Sequence, residues 1–141
     1  MTDKLRIAWE GGRGSQGVLW LHGLTGTPRE VEPLAKNLAS RYRVLVPWLP
    51  GHGTSPGELG KTTRHDWTHA AEQSFDHLAG KCSRVFVGGL SMGACLALHL
   101  GLVRSVAGIV SMAAPIHIRD LRFRGLAFFR FLQWRTRDLT G

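Results

Sequence analysis

The sequence predicts an α/β protein with a doubly wound, mostly parallel sheet. Apolar and β-branched runs at residues 18–21, 42–46, 85–87 and 106–112 alternate with segments whose apolar residues recur at helical spacing. Runs that are apolar throughout, such as residues 18–21, are typical of strands covered on both faces. Glycine-rich loops follow several of these runs, and such sheets carry their sites at the carboxyl ends of the strands. A single site at that edge of the sheet is therefore expected.

The first predicted elements are a short strand near residues 5–9, a turn at residues 11–17 and the strand at 18–21. A helix is then predicted to begin after Thr27, because Thr27 and Glu30 have the spacing of a capping box and the proline between them suits a first helical position. This helix is expected to end near residue 40, before the strand at 42–46. Its expected apolar face consists of Val31, Leu34, Ala35, Leu38 and Ala39.

The second half repeats this alternation. Residues 47–57 are rich in proline and glycine and are predicted to form a loop, and a helix capped by Thr63 is predicted over residues 64–79. Residues 106–112 are predicted to form a further strand, which would be buried inside a complete sheet and becomes an exposed edge when the later strands are absent. The expected buried face of the helix at 64–79 consists of Trp67, Ala70, Ala71, Ser74, Phe75 and Leu78.

The most informative stretch joins the strand at residues 85–87 to Gly-Leu-Ser-Met-Gly at residues 89–93 and then to a helical pattern. This context predicts a nucleophile elbow, in which Ser91 lies on a strained turn between strand and helix and Gly89 and Gly93 allow close backbone approach. The N–H group of Met92 then faces the site at the start of the helix, where negative charge is stabilised. The alternative is an inert Gly-Ser turn. In the helix that follows, Ala94, Cys95, Ala97, Leu98 and Leu102 give the apolar spacing.

Three loops at predicted strand ends carry a resemblance to a known family. They are His-Gly-Leu-Thr-Gly-Thr-Pro at residues 22–28, Gly-His-Gly at 51–53 and Gly-Leu-Ser-Met-Gly at 89–93. In this order they resemble the α/β-hydrolase fold and, more narrowly, the small bacterial carboxylesterases related to monoacylglycerol lipases. The resemblance extends over about residues 18–118.

The resemblance implies roles for individual residues. Ser91 would be the acyl nucleophile, and the N–H groups of Leu24 and Met92 would form the oxyanion hole. Leu24 stands where the family usually has phenylalanine, which keeps the backbone donor and removes an aromatic wall. His22 and His52 are expected to brace their loops, with a catalytic role for His22 as the weaker alternative. The supporting residues are then His22, Gly23, His52, Gly89 and Gly93.

The triad acid and base of this family follow the nucleophile along the chain. After Ser91 the sequence offers His99 inside the helix, His117 beyond the last strand, and the acids Asp120 and Asp138. None of these fits the expected place of a base or acid, and His117 is interpreted as a hinge or pocket residue. We therefore expect an N-terminal part of such an enzyme, truncated before the last strands.

The expected organisation is an N-terminal part of the hydrolase core at residues 1–115 and the start of a helical cap at 116–141. Aromatic residues and arginines alternate over residues 121–134. This pattern favours a cap helix over the acyl pocket, with a basic amphipathic helix on a membrane surface as the alternative.

Composition limits the size of the fold and the kinds of partner and cofactor that the protein can have. A chain of 141 residues with 43% hydrophobic content can bury one core. The net charge of +8 is spread thinly outside the arginine-rich end, which favours a solvated surface over nucleic-acid binding. No signal sequence or membrane span is evident, so a cytoplasmic location is expected. Cys82 and Cys95 are expected to be free thiols, with Cys95 packed in the core, and neither a metal nor an organic cofactor is implied.

The function expected from the sequence is that of a serine carboxylesterase acting on short or medium acyl esters. The alternative is a non-catalytic, truncated or degenerate hydrolase fragment that self-associates or binds a hydrophobic partner. The expected partner is a small-molecule ester, and self-association is expected for the truncated chain.

Overall fold

The computed structural model describes residues 5–116, which form a five-stranded sheet in the order β1-β3-β2-β4-β5. Strand β1 pairs with β3 in antiparallel orientation, whereas the β3-β2, β2-β4 and β4-β5 pairs are all parallel. The predicted α/β class and mostly parallel sheet are therefore confirmed. The strands are β1 (Ile7–Gly11), β2 (Gln16–Leu21), β3 (Arg43–Pro47), β4 (Arg84–Leu90) and β5 (Gly108–Met112).

Helices cover both faces of this sheet. Because side chains alternate along a strand, Leu19 and Leu21 of β2 pack into one apolar cluster, while Val18 and Trp20 of the same strand pack into another. The first cluster contains α3 and α4, and the second contains residues of α1. The helices are α1 (Glu32–Leu38), α2 (Pro56–Gly60), α3 (Arg64–Ala79) and α4 (Met92–Val103).

Helix α3 has the bounds that the sequence predicts, and its cap explains why it begins there. The Thr63 hydroxyl accepts a hydrogen bond from the Asp66 N–H at 3.4 Å, and the Asp66 carboxylate accepts one from the Thr63 N–H at 2.7 Å. Five of the six residues predicted for its inner face are buried, and the sixth, Ala70, is half-buried.

The segment after Thr27 does not form the single helix that the sequence predicts. The chain forms a short 3-10 helix at Pro28–Glu30, and α1 starts only at Glu32. The Thr27 side chain makes no capping hydrogen bond, so the predicted capping box is wrong. Pro33 gives the physical reason, since a continuous α-helix from residue 28 would place the ring of Pro33 against the carbonyl of Arg29 and remove a hydrogen bond. Helix α1 ends at Leu38, and Leu34 of its predicted apolar face is 40% exposed.

Strand β5 forms the exposed edge that is expected of a sheet truncated before its last strands, whereas two predictions about burial on α4 are wrong. Strand β5 starts at Gly108 and has a largely exposed surface, with Val110 51% exposed, because β4 is its only neighbour within residues 5–116. On α4, Leu102 is 64% exposed and Cys95 is half-buried. The helix is apolar almost all round, so its sequence does not specify which face turns toward the sheet. Its buried residues are Met92, Gly93, Ala94, Leu96, Ala97 and Leu100.

The loop predicted at residues 47–57 ends two residues earlier than expected, at Ser55. Helix α2 begins at Pro56, because the Ser55 hydroxyl accepts a hydrogen bond from the Glu58 N–H at 3.2 Å and a proline suits the first helical position. None of the helices within residues 5–116 has the length and hydropathy needed to cross a membrane. The predicted boundary after residue 115 and the predicted helix at 121–134 concern residues at or beyond the end of this described part.

Candidate active site

Ser91 lies at the junction of β4 and α4 in a conformation that L-residues rarely adopt, with φ 54° and ψ −115°. Its N–H group donates a hydrogen bond to the carbonyl of Met112 at the end of β5, at 2.8 Å. Its carbonyl accepts bonds from Ala94 and Cys95 in the first turn of α4. The serine is therefore held on a tight strand-to-helix turn at the carboxyl ends of the parallel strands, which is the placement that the sequence predicts.

Gly89 and Gly93 are required here by space. A Cβ atom at Gly89 would overlap the backbone of Gly93 and Ala94, and one at Gly93 would overlap the backbone of Leu21 at the end of β2. Neither neighbour can move aside, because both are main chain. The two glycines thus allow α4 to approach the sheet closely enough to form the turn at Ser91.

A second turn lies beside Ser91. The N–H group of Gly26 donates to the carbonyl of Gly23 at 3.2 Å, which closes a four-residue turn with Leu24 and Thr25 at its centre. We call residues 23–26 the oxyanion turn, after the role that the sequence analysis expects of the Leu24 N–H group. A Cβ atom at Gly23 would stand 3.6 Å from the Cβ of Ser91, so the turn and the serine are neighbours.

This arrangement leaves backbone donors near the serine. The closing bond of the oxyanion turn uses neither the N–H of Leu24 nor that of Thr25. The first N–H groups of α4, including that of Met92, have no intrahelical acceptor by helix geometry. Free N–H groups at a helix start favour an anion. The site is chemically suited to stabilise negative charge next to a serine hydroxyl.

His22 braces the oxyanion turn from inside the protein. Its side chain is fully buried, its Nδ1–H donates to the carbonyl of Gly23 at 3.0 Å, and its Nε2 accepts from the N–H of Leu49 at 3.3 Å. Because a carbonyl only accepts and an amide only donates, these two bonds fix the neutral Nδ1–H tautomer. Burial lowers the pKa of His22 to about 4, although the bond to Gly23 acts in the opposite direction.

His52 continues this support toward α3. Its Nδ1–H donates to the carbonyl of Pro50 at 2.9 Å, and the indole N–H of Trp67 donates to the same oxygen at 3.1 Å. The ring of His52 meets those of His22 and Trp67 edge-on, with centroid distances of 4.9 and 5.9 Å. Burial lowers the pKa of His52, against the backbone groups of Pro50, Leu49 and Leu24, which raise it. Both imidazoles hold loops, as the sequence analysis expected.

The buried histidines His22 and His52 form their hydrogen bonds with backbone groups of the loops, not with Ser91. His99 lies eight residues along α4, or about 12 Å by helix rise. Its Nε2 instead meets Glu72 at 2.7 Å, in a network with Arg104 and Asp76 that joins α3 to α4. His117, Asp120 and Asp138 lie outside the described residues.

Metal ligands and cysteines are the other groups of chemical interest in the part of the chain that the structure describes. No group of three or more potential metal ligands occurs among residues 5–116. Cys82 and Cys95 are both free thiols, as predicted, and burial raises the pKa of Cys82.

Sequence reasoning missed Glu30. It was assigned to a capping box, but its carboxylate lies against Gly26 in the oxyanion turn, where a Cβ on that glycine would overlap it. The signal in the sequence was a glutamate four residues after a glycine in a loop that was already suspected of function.

Comparison with known proteins gives a consistent result. A family model described as alpha/beta hydrolase fold matches residues 18–138. The thermostable monoacylglycerol lipase of Bacillus sp. (strain H-257) is 42% identical over 107 residues, and a carboxylesterase of Bacillus subtilis (strain 168) is 36% identical over 109 residues. These alignments cover 74% and 76% of this chain but 43% and 44% of the relatives, so the chain spans less than half the length of either one.

A solved structure from work on LipS and LipT, two metagenome-derived lipolytic enzymes, superposes with a TM-score of 0.79 at 34% identity. The superposition covers 85% of this chain and 50% of that structure. The sheet, the two turns at its carboxyl edge and the family match lead to one conclusion: this chain belongs to the α/β-hydrolase fold family.

Proposed function

We propose that this chain carries the nucleophile and the oxyanion hole of a serine carboxylesterase that acts on short or medium acyl esters. One observation carries the proposal: Ser91 stands at φ 54° on the turn between β4 and α4, directly beside the oxyanion turn. A strained serine next to unpaired backbone donors is the arrangement that acyl transfer needs. The names of the Bacillus relatives, a monoacylglycerol lipase and a carboxylesterase, support the same chemistry.

In the proposed reaction the Ser91 hydroxyl attacks the ester carbonyl carbon and gives its proton to a base. The negative charge that forms on the carbonyl oxygen is stabilised by the N–H groups of Leu24 and Met92. The tetrahedral intermediate collapses, the alcohol leaves with the proton, and Ser91 retains the acyl group. Water then attacks the acyl-enzyme and releases the acid. His22 and His52 keep the oxyanion turn in place and take no proton.

A second candidate is a non-catalytic hydrolase fold that self-associates or binds a hydrophobic partner. The observation that favours it is the exposed edge at β5, where Ile109, Val110 and Met112 are 39%, 51% and 44% exposed. An uncharged β-branched edge of this kind is a surface for pairing with another strand.

A serine-directed fluorophosphonate distinguishes the two candidates. The 141-residue chain is treated with the reagent, and the modified residue is located by peptide mass spectrometry. We expect slow modification at Ser91, since oxyanion stabilisation persists without a bonded base, and a rate at least about 10²-fold higher when the C-terminal half of the Bacillus lipase is co-expressed with it. Ser91→Ala abolishes the adduct, while Ser83→Ala, at an exposed serine, leaves it unchanged. Equal modification of Ser83 and Ser91 would refute the esterase proposal.

A further inference from the structure

Glu30 places a negative charge at the rim of the candidate active site. One of its carboxylate oxygens lies 3.9 Å from the position that a Cβ at Gly23 would take, and the Cβ of Ser91 lies 3.6 Å from the same position. The residue is exposed, and its carboxylate rests against Gly26. A substrate whose carbonyl is held by the oxyanion turn would therefore lie close to this charge.

The carboxylate of Glu30 has no counter-charge among the described residues, whereas other glutamates of the chain are paired. Glu32 meets Lys36 at 2.7 Å, and Glu58 meets Lys61. Glu10 is bonded to Lys81 at 2.9 Å and to His77. None of the ion pairs within residues 5–116 includes Glu30. Within the described part of the chain, the charge of Glu30 is therefore not cancelled by an ion pair.

We propose that Glu30 is a specificity-determining residue that makes the Ser91 site select neutral or cationic esters over esters with an anionic group near the reacting carbonyl. The inference rests on the proposed function and specifies its substrate class. Esters of uncharged alcohols with unsubstituted acyl chains are the expected substrates, and half-esters of dicarboxylic acids are disfavoured.

The size of the effect follows from distance and exposure. A charge bonded near the reacting carbon would lie roughly 5–10 Å from the carboxylate. At that distance, in a largely solvated site, repulsion between like charges changes a rate by roughly threefold. Salt weakens such an effect, because the Debye length falls from about 10 Å at 0.1 M to about 3 Å at 1 M.

The test uses three fluorophosphonates with short tails of equal length, which place a methyl, a quaternary ammonium or a carboxylate group close to the phosphorus atom. The measured quantity is the rate of Ser91 modification in the 141-residue chain, expressed as the ratio of the anionic to the neutral probe. We expect Glu30→Gln to raise this ratio about threefold and to lower the ratio of the cationic to the neutral probe. Both changes should shrink in 1 M NaCl. Glu32→Gln is the matched control, since it changes the net charge equally but removes a carboxylate already paired with Lys36.

The possible failures are distinguishable. Modification of Ser91 with the same probe ratios in the wild type and in Glu30→Gln would overturn the role of Glu30 and leave the proposed function intact. The same shift of the probe ratio in Glu32→Gln would assign the effect to net charge and would also overturn the role of Glu30. No modification of Ser91 by any of the three probes would overturn the proposed function and this inference together. A thermal melt of Glu30→Gln checks that the exposed substitution leaves the fold intact.

Discussion

Acid should destabilise this fold through His22. His22 is fully buried in a neutral form, donating to Gly23 and accepting from the N–H of Leu49. Protonating its Nε2 would break the bond from Leu49 and place a charge in an apolar interior. Unfolding removes both penalties, so protons bind the unfolded chain more readily than the folded one. The stabilising contribution is fully present above pH 6.5 and is lost as the pH falls toward 4.

The magnitude follows from the two pKa values. The change from 6.5 in the unfolded chain to about 4 in the folded protein corresponds to about 3 kcal/mol of unfolding free energy. About 2 kcal/mol of this is lost between pH 7.5 and pH 5. A domain of this size has a total stability of about 5–15 kcal/mol, so the loss is readily measured. His52 acts in the same direction, because burial lowers its pKa too.

The contribution of His22 is isolated by His22→Asn. The asparagine amide keeps a donor for the carbonyl of Gly23, leaves the N–H of Leu49 without its acceptor, and does not titrate. Urea unfolding at a series of pH values between 7.5 and 4 gives the free energy of each protein. We expect the variant to be less stable at pH 7.5 and the difference to close by about 3 kcal/mol toward pH 4. Parallel pH profiles for the two proteins would show that His22 is not the group responsible.

Two further predictions concern the oxyanion turn and the sheet edge. Leu24→Pro should slow the reaction of Ser91 with a fluorophosphonate by a factor on the order of 10², because proline fits the second position of the turn but lacks the N–H group. Leu24→Ala should slow this reaction much less, and equal rates for the two variants would argue against a backbone donor at this position. Val110→Lys should reduce concentration-dependent association in sedimentation experiments, because it places a charge on the β5 edge. Val103→Lys, on an exposed part of α4, should not reduce it, and the reverse result would move the association surface to the helix.

The sequence was sufficient for the parts of the fold that local patterns determine. Alternating apolar runs and helical spacing located all five strands, and Thr63 with Asp66 fixed the start of α3. The turn at Ser91 was also foreseeable, because a glycine on either side of the serine, between a strand and a helix, has few other structural reasons to occur. In each case the signal that locates the element lies within a few residues of the chain.

Where the sequence misled, the deciding interaction lay outside the motif or segment that carried the signal. The pattern of Thr27 and Glu30 is a valid local signal, but Pro33 prevents the helix that it would cap from continuing. The burial of Leu102 depends on which elements lie next to α4, and an apolar run carries no information about that. The position of Glu30 beside the oxyanion turn depends in turn on where the 3-10 helix begins.

The strained turn at Ser91 is a property of the assembled sheet. A residue in such a conformation costs about 1–3 kcal/mol, and Ala113 directly after β5 also has a positive φ, of 51°. Between them runs the hydrogen bond from the Ser91 N–H to the Met112 carbonyl, which joins the ends of β4 and β5. A peptide of residues 85–95 lacks β5 and the Leu21 backbone that Gly93 contacts, so nothing in it would offset the strain. The reactivity proposed for Ser91 therefore requires β2, β4, β5 and α4 together, and loss of the β5 contact should relax the serine before it unfolds the core.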